Sequence, residues 1–275
     1  MSGAVRVHRV PRARCTVRPI MRCTLTALGF IGWMSGAIAA GPSPLRSGFE
    51  TMGPTTQAMQ RDDAANPGML AVRTGERLWG AAAGAAQRAC ADCHQDARQT
   101  MQGVAPRYPR WDERSARPVD LSMRIALCRS RHQQAEAGSP EDPQRLALTA
   151  YVAHVSRGLP VQPDADPRLD VARERGRAQF TKRIGQLSLS CADCHDTYWG
   201  RQLGSSTIPQ GHANGYPLYR LEWQALGSLQ RRLRGCLTGV RAEVWPADAA
   251  QYVELELYLN QRGAGLPLEV PAVRP

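Results

Sequence analysis

The 275-residue chain contains no methionine after residue 123, which excludes thioether ligation of a metal by its C-terminal half. Residues 1–40 contain no Asp or Glu, although they hold Arg6, Arg9, Arg12, Arg14, Arg18 and Arg22. These six supply much of the formal net charge of +11. Taking them from the 35 basic residues leaves 29 against 24 acids, a net of +5. So small an excess removes most of the support for a nucleic-acid-binding protein. Beyond residue 40 no stretch is long and apolar enough to span a bilayer, which takes about 20 residues. No membrane span is expected in the mature chain.

Residues 25–40 are apolar, rich in small residues and preceded by Arg22. With Ala37-Ile38-Ala39 near the end, they have the basic region, apolar region and A-x-A site of a cleaved export signal. Residues 1–39 therefore read as a signal peptide, and the mature chain as periplasmic. A membrane anchor is the competing reading. The run is short for one, and Gly29, Gly32, Ser35 and Gly36 interrupt it.

What the chain does have is one pentapeptide used twice. Cys90-Ala91-Asp92-Cys93-His94 returns as Cys191-Ala192-Asp193-Cys194-His195. Cys-x-x-Cys-His is the attachment sequence of c-type haem. The thiols, Cys90 with Cys93 and Cys191 with Cys194, add across the two haem vinyl groups. His94 or His195 then binds iron from the same face. A zinc site would close with a second pair at finger-like spacing, but 97 residues separate Cys93 from Cys191. A redox dithiol is the other competing reading. Repetition of the whole motif favours two covalently bound c-type haems. Export fits them, since attachment occurs outside the bacterial cytoplasm.

Apolar spacing predicts helices at residues 69–89, 121–131, 142–156, 169–184, 221–234 and 249–261. The last would also suit a strand, because Val253, Leu255, Leu257 and Leu259 alternate with polar residues. Residues 107–118 and 199–219 read as loops, and residues 40–67, rich in Pro, Gly, Ser and Thr, as an N-terminal arm. The Pro/Asp-rich residues 163–167 mark a boundary between domain 1, residues 68–163, and domain 2, residues 164–275. The halves look like repeats. Gly75 and Gly176 each precede the first motif cysteine by 15 residues. Cys128 follows His94 by 34 residues and Cys236 follows His195 by 41. Gly158-Leu159-Pro160 is answered by Gly265-Leu266-Pro267. The expected fold is mostly α: two tandem cytochrome c-like haem domains related by duplication.

Each iron needs a sixth ligand. Electron-transfer cytochromes c commonly use Met, which the second half lacks. His212 and Cys236 remain there; Met101, Met123, Cys128, His132 and His154 compete in the first half. Cys128 and Cys236 hold matching places in the repeat and the histidines do not. Thiolate ligation is therefore favoured in both halves. A Cys128–Cys236 disulfide is the competing use of these residues in an oxidising compartment. Arg231-Arg232-Leu233-Arg234-Gly235 runs into Cys236, with Arg232 one helical turn before it. A planar, permanently charged guanidinium suits an oxyanion. Without the cysteine the run would read as a solvated basic face.

The two haem motifs, Cys128-Arg129 after a short helix and the arginine-flanked Cys236 resemble the dihaem A subunits of the periplasmic Sox thiosulfate-oxidising cytochromes, the L-cysteine S-thiosulfotransferases. The resemblance covers about residues 68–275, and the segment at Cys236 is its specific part. It implies that Cys236 is the catalytic sulfur as well as a haem ligand, its counterpart being found as a persulfide. It implies that Arg232 binds substrate, and that the first haem lies far from the chemistry. It also implies two partners: a small monohaem cytochrome c subunit, SoxX, and a carrier protein, SoxYZ. A cysteine on the carrier's mobile arm would be coupled to thiosulfate, with two electrons passing to haem. The alternative is a dihaem electron-transfer cytochrome without substrate chemistry. A dihaem peroxidase, the third reading, needs a labile iron site.

Overall fold

A computed structural model describes residues 44–275 of the chain, and the signal-peptide reading, residues 1–39, lies outside the described residues. The segment expected to be an extended arm carries a helix, α1 (Pro54–Arg61), with proline at its start, where a missing N–H costs nothing. None of its residues is buried, so polar contacts hold this segment. The Ser47 hydroxyl donates to Glu269, and the Gln60 side-chain oxygen accepts from the Val273 N–H at 3.0 Å.

α2 (Met69–Gly80) leads to the first pentapeptide, which lies on α3 (Ala91–His94) ahead of α4 (Ala97–Thr100). A hairpin of β1 (Arg110–Asp112) and β2 (Arg117–Val119) enters α5 (Leu121–Cys128), and α6 (Pro143–His154) follows. The second half repeats this order. α7 (Asp170–Thr181) precedes the second pentapeptide, which enters a wide helical turn at Asp193–Thr197. A small hairpin, β3 (Gln202–Leu203) with β4 (Ser206–Thr207), is peculiar to this half. A second hairpin, β5 (Leu218–Arg220) with β6 (Ala225–Gly227), enters α8 (Leu229–Gly239), followed by α9 (Ala250–Arg262). β7 (Ala272–Arg274) lies parallel to β5 on its other side.

Two expected helices change their bounds, the expected loops at residues 107–118 and 199–219 carry short strands, and the helix expected at residues 249–261 is present. The helix from residue 69 stops at Gly80, because the chain then doubles back through Gly84 (φ +64°) with Ala83 bridged to Arg88. The helix expected from residue 221 starts at Leu229; the preceding residues belong to the β5–β6 hairpin, and the Ser228 hydroxyl caps the helix by accepting from the Arg231 N–H at 3.0 Å. The alternation in residues 249–261 belongs to a helix buried on more than one side. Leu255 and Leu259 pack on Phe180, Leu257 on Leu169 and Ala172, and Val253 on Val119 and Met123.

Two helix crossings set the frame. A Cβ on Gly75 would lie 2.1 Å from the Ala147 carbonyl oxygen, so α2 and α6 meet backbone to backbone. A Cβ on Gly176 would lie 1.9 Å from that of Glu254, so α7 and α9 do the same. The turns after the first helices also match: Cβ positions on Gly84 and on Gly185 (φ +69°) would each lie 2.1 Å from a carbonyl, of Gln133 and Val240 respectively.

The halves join through their Gly-Leu-Pro segments, in a pattern that maps onto itself when they are exchanged. The Gly158 N–H donates to Leu268 at 2.8 Å and the Gly265 N–H to Val161 at 2.9 Å. The Leu268 N–H donates to Leu159 at 2.9 Å and the Val161 N–H to Leu266 at 2.8 Å. Arg145 of α6, only 1 % exposed, adds a bidentate tie to Asp248 before α9, both contacts at 2.9 Å.

Alanine is the better helix former than glycine by roughly 1 kcal/mol, so Gly176→Ala would stabilise α7 if the crossing were loose. Overpacking costs about 1–3 kcal/mol or more. The expected outcome is a lower thermal midpoint for Gly176→Ala in the haem-loaded protein, by about 2–4 °C per kcal/mol. An unchanged or raised midpoint would contradict the tight crossing.

Candidate functional site

In the second half, Phe180 of α7 and Leu255 and Leu259 of α9 form an apolar wall with Ala213 and Leu229. Cys191, Ala192, Tyr216 and Leu233 pack against it. The His195 ring lies 6.4 Å from that of Phe180, and its Nδ1 is 2.7 Å from the Pro209 carbonyl oxygen. A nitrogen facing a carbonyl at that distance is the N–H donor, which leaves Nε2 with the lone pair. Burial pushes His195 below its ordinary range, which keeps the ring neutral, as ligation requires. Gly211 (φ +75°) lets the backbone pass behind the ring, since a Cβ there would sit 2.8 Å from His195 Cγ.

α8 brings Cys236 to the same place. Burial pushes the Cys191 thiol up to about 11, and the charge of the nearby Cys236 adds to the shift. Cys194 is raised by the same two causes. Gly235 and Gly239 of α8 face open space, with no other protein atom within 4 Å of either Cβ position. Tyr216 links Cys236 to Arg232. Burial pushes its phenol up to about 12, while Arg232 opposes and Cys236 reinforces the rise. Among the described residues Arg232 makes no ion pair, whereas the flanking Arg231 reaches Glu141 at 3.9 Å.

The first half has the same parts with a different charge arrangement. Cys128, at the end of α5, lies near both motif cysteines: burial raises Cys90 with a contribution from Cys128, and raises Cys128 with one from Cys93. His94 is exposed, its ring 5.8 Å from that of Trp79. Arg124, one turn before Cys128, pairs with Asp112 at 2.7 Å, and Arg131 pairs with the same carboxylate at 2.9 Å.

Three of the competing ligands are engaged or exposed elsewhere, whereas Met101 and His212 lie near the motifs. Met123 is 3 % exposed in a cluster with Val119 and Val253. His132 is exposed, and the His154 Nδ1 is 3.1 Å from the Val270 carbonyl oxygen. Met101 lies partly buried against the core that holds Cys90 and Ala91. Burial, with Arg262 and His195 nearby, pushes His212 down to about 4, which places it on the His195 side. The six described cysteines are all free, and Cys128 and Cys236 each lie with a different motif, so they form no disulfide. Among the described residues no three His, Cys, Asp or Glu side chains converge closely enough to hold a bare metal ion.

Sequence reasoning missed Pro209, Tyr216 and Asp112. For Tyr216 and Asp112 the signal was available: Cys128 and Cys236 differ by 108 in number, and the same offset pairs Tyr108 with Tyr216, Asp112 with Arg220 and Arg124 with Arg232.

Comparison with known proteins agrees with this arrangement. The family described as SoxA/TsdA, cytochrome c domain, matches residues 74–161. An L-cysteine S-thiosulfotransferase subunit SoxA of Pseudaminobacter salicylatoxidans is 39% identical over 220 residues, 80% of this chain and 77% of the relative. The chain belongs to the SoxA family. A second SoxA, from Rhodovulum sulfidophilum, is 35% identical over 84% of this chain and 80% of its own. The crystal structure of SoxXA from P. pantotrophus matches with a TM-score of 0.81 and 31% identity, covering 84% of this chain and 87% of that one.

A cytochrome c domain carries covalent haem, and the residues of this SoxA-family chain fit it. Paired thiols, an imidazole with only Nε2 free, an apolar wall and open space beside Gly235 and Gly239 suit a flat macrocycle, while the cysteines stand too far apart for a bare ion. In Gly211→Ala a methyl would press on the His195 ring. In Gly204→Ala the backbone is similarly strained (φ +59°) but the methyl meets nothing within 4 Å. Gly211→Ala is expected to shift the Soret band of the haem-loaded protein and Gly204→Ala to leave it in place. Identical spectra for the two would contradict the close passage behind His195.

Proposed function

We propose that this chain is the dihaem, catalytic subunit of a periplasmic L-cysteine S-thiosulfotransferase. The observation that carries the reading is the placement of Cys236 near Cys191 and Cys194, one helical turn after an arginine that no carboxylate among the described residues neutralises. The curated SoxA relatives bear the name of this activity, and the SoxXA likeness supports a SoxX monohaem partner. The substrates are thiosulfate and a cysteine of a SoxYZ carrier.

Two haems are assigned, one to each half. Cys90 and Cys93 would attach the first, and His94 and Cys128 would hold its iron. Cys191 and Cys194 would attach the second, and His195 and Cys236 would hold its iron. The halves, residues 68–163 and 164–275, are assigned to a tandem duplication. Support comes from the matched glycine crossings, the matched hairpins and the self-complementary Gly-Leu-Pro pairing. The periplasmic assignment rests on the export-signal pattern in residues 1–39, and no helix among the described residues is long and apolar enough to cross a membrane.

Thiosulfate and the carrier thiol combine to a carrier S-thiosulfonate, releasing one proton and two electrons. An S–H bond is broken and an S–S bond is made. The haems, when bound, supply one-electron acceptors for the pair. Arg232 holds the sulfonate oxygens, a task for a planar cation with paired donors. Tyr216 screens the site from water beside Cys236. Cys236 presents its sulfur where the carrier cysteine must arrive.

Arg232→Ala is expected to lower thiosulfate-dependent haem reduction, with carrier and partner present, by about 10²–10³-fold, the scale for losing one preorganised charge-stabilising donor. Cys236→Ala is expected to abolish it. Full activity in both variants would contradict the sulfur-transfer reading and leave an electron-transfer cytochrome.

A further inference from the structure

The two hairpins that lead into the cysteine-bearing helices are superposable in register. Asp112 pairs with Arg117 as Arg220 pairs with Ala225, and Arg110 with Val119 as Leu218 with Gly227. Both turns carry one left-handed residue at the same place, Ala116 (φ +48°) and Gln224 (φ +49°). Both helices then start behind a capping side chain, Asp120 or Ser228. Position for position, residue 112 corresponds to 220 and residue 124 to 232.

Their charges are opposite. In the first half Asp112, 3 % exposed, receives Arg124 at 2.7 Å and Arg131 at 2.9 Å, with Ser115 donating to it as well. This closed group consumes the arginine that precedes Cys128 and holds the Asp112 carboxyl far below the usual carboxylate range. In the second half the hairpin position holds a second cation. The Arg220 side chain is 14 % exposed, and the carboxylate it meets, Glu222 at 2.8 Å, is 65 % exposed and weakly held by a solvated contact. The place of Arg131 falls within Thr238-Gly239-Val240, which has no basic residue, and the Cβ position of Gly239 faces open space. Arg232, Arg274 and Arg220 all act on the Tyr216 phenol, and of these Arg274 is paired with the largely buried Glu269.

Two guanidiniums without a buried carboxylate are a site short of negative charge. Resting on the function proposed above, we infer that Arg220 is a second anion-binding residue of the Cys236 site, acting with Arg232 on a dianion, and that Asp112 closes the equivalent position of the first half to anions. The hairpin residue thus determines which half takes thiosulfate. A sulfonate-ended dianion matches two guanidiniums better than one, and no covalent step is assigned to Arg220.

The test uses the haem-loaded complex with its partner and carrier. Arg220→Gln is expected to raise KM for thiosulfate about 10-fold or more, as for loss of a charged hydrogen bond, with kcat within ~3-fold, the pattern of lost ground-state binding. Arg220→Lys, which keeps the charge, is expected to keep most of the affinity. Arg220→Asp, which recreates the lock, is expected to abolish calorimetric thiosulfate binding measured without carrier, while the Soret band stays in place. Asp112→Asn is expected to add a weak second thiosulfate site in the same calorimetry. The inference is overturned if Arg220→Gln leaves KM unchanged, or if Lys loses as much as Gln, while Arg232→Ala remains inactive. If Arg232→Ala and Cys236→Ala are themselves fully active, the functional reading fails instead.

Discussion

Because the Glu254 carbonyl oxygen occupies the space where a Cβ of residue 176 would stand, α7 and α9 can cross only through glycine, and the same holds for α2 and α6 at Gly75. Each crossing fixes the helix that leads to a Cys-x-x-Cys-His motif against the last helix of its half. The cysteine-bearing helices, α5 and α8, are then set by the hairpins that enter them and by turns that only left-handed glycines allow, Gly84 under Gln133 and Gly185 under Val240. A short chain gains little core from so few helices. The apolar walls around Trp79 and Phe180 are laid out for a flat prosthetic group, which supplies the missing apolar area.

On this common frame the two halves differ in electrostatics at the hairpin that enters the cysteine-bearing helix. A buried carboxylate at residue 112 gathers two arginines into a neutralised cluster. At residue 220 a guanidinium stands in its place, and Arg232 is left without an ion pair among the described residues. Charges held in place before substrate arrives need no reorganisation during reaction, and this makes preorganised donors effective. In the reading proposed above, this single hairpin position sets which half binds the anion. The other half keeps the same cysteine and imidazole, with Arg124 and Arg131 both paired to Asp112.

Much of this was legible in the sequence, and the losses have identifiable causes. The haem motifs, Cys128, Cys236 and the glycines at 75 and 176 stand at recurring intervals, so their pairing needed no structure. The β5–β6 hairpin was hidden because Leu221, Ala225, Leu229 and Leu233 fall at helical spacing although the first two belong to the hairpin region. The helix at residues 54–61 buries no side chain, so it left no apolar period to read. The equivalence of Asp112 with Arg220 was obscured by length. The halves run at an offset of 101 up to the motifs, 108 through the cysteine-bearing helices and 107 after them, the extra residues lying in the region of the β3–β4 hairpin. The Pro209 carbonyl behind His195 carries no side-chain signal, and only coordinates reveal it.

The account rests on Cys236 of α8 and His195 as the two residues that would hold the iron of the second haem. Low-temperature EPR of the oxidised, haem-loaded protein addresses this directly, because low-spin iron with imidazole and thiolate ligands differs in its g-values from iron with two imidazoles or with imidazole and thioether. The account predicts imidazole–thiolate signals, one of which disappears in Cys236→Ala while the other persists. A spectrum of the second haem that is unchanged by Cys236→Ala would contradict it.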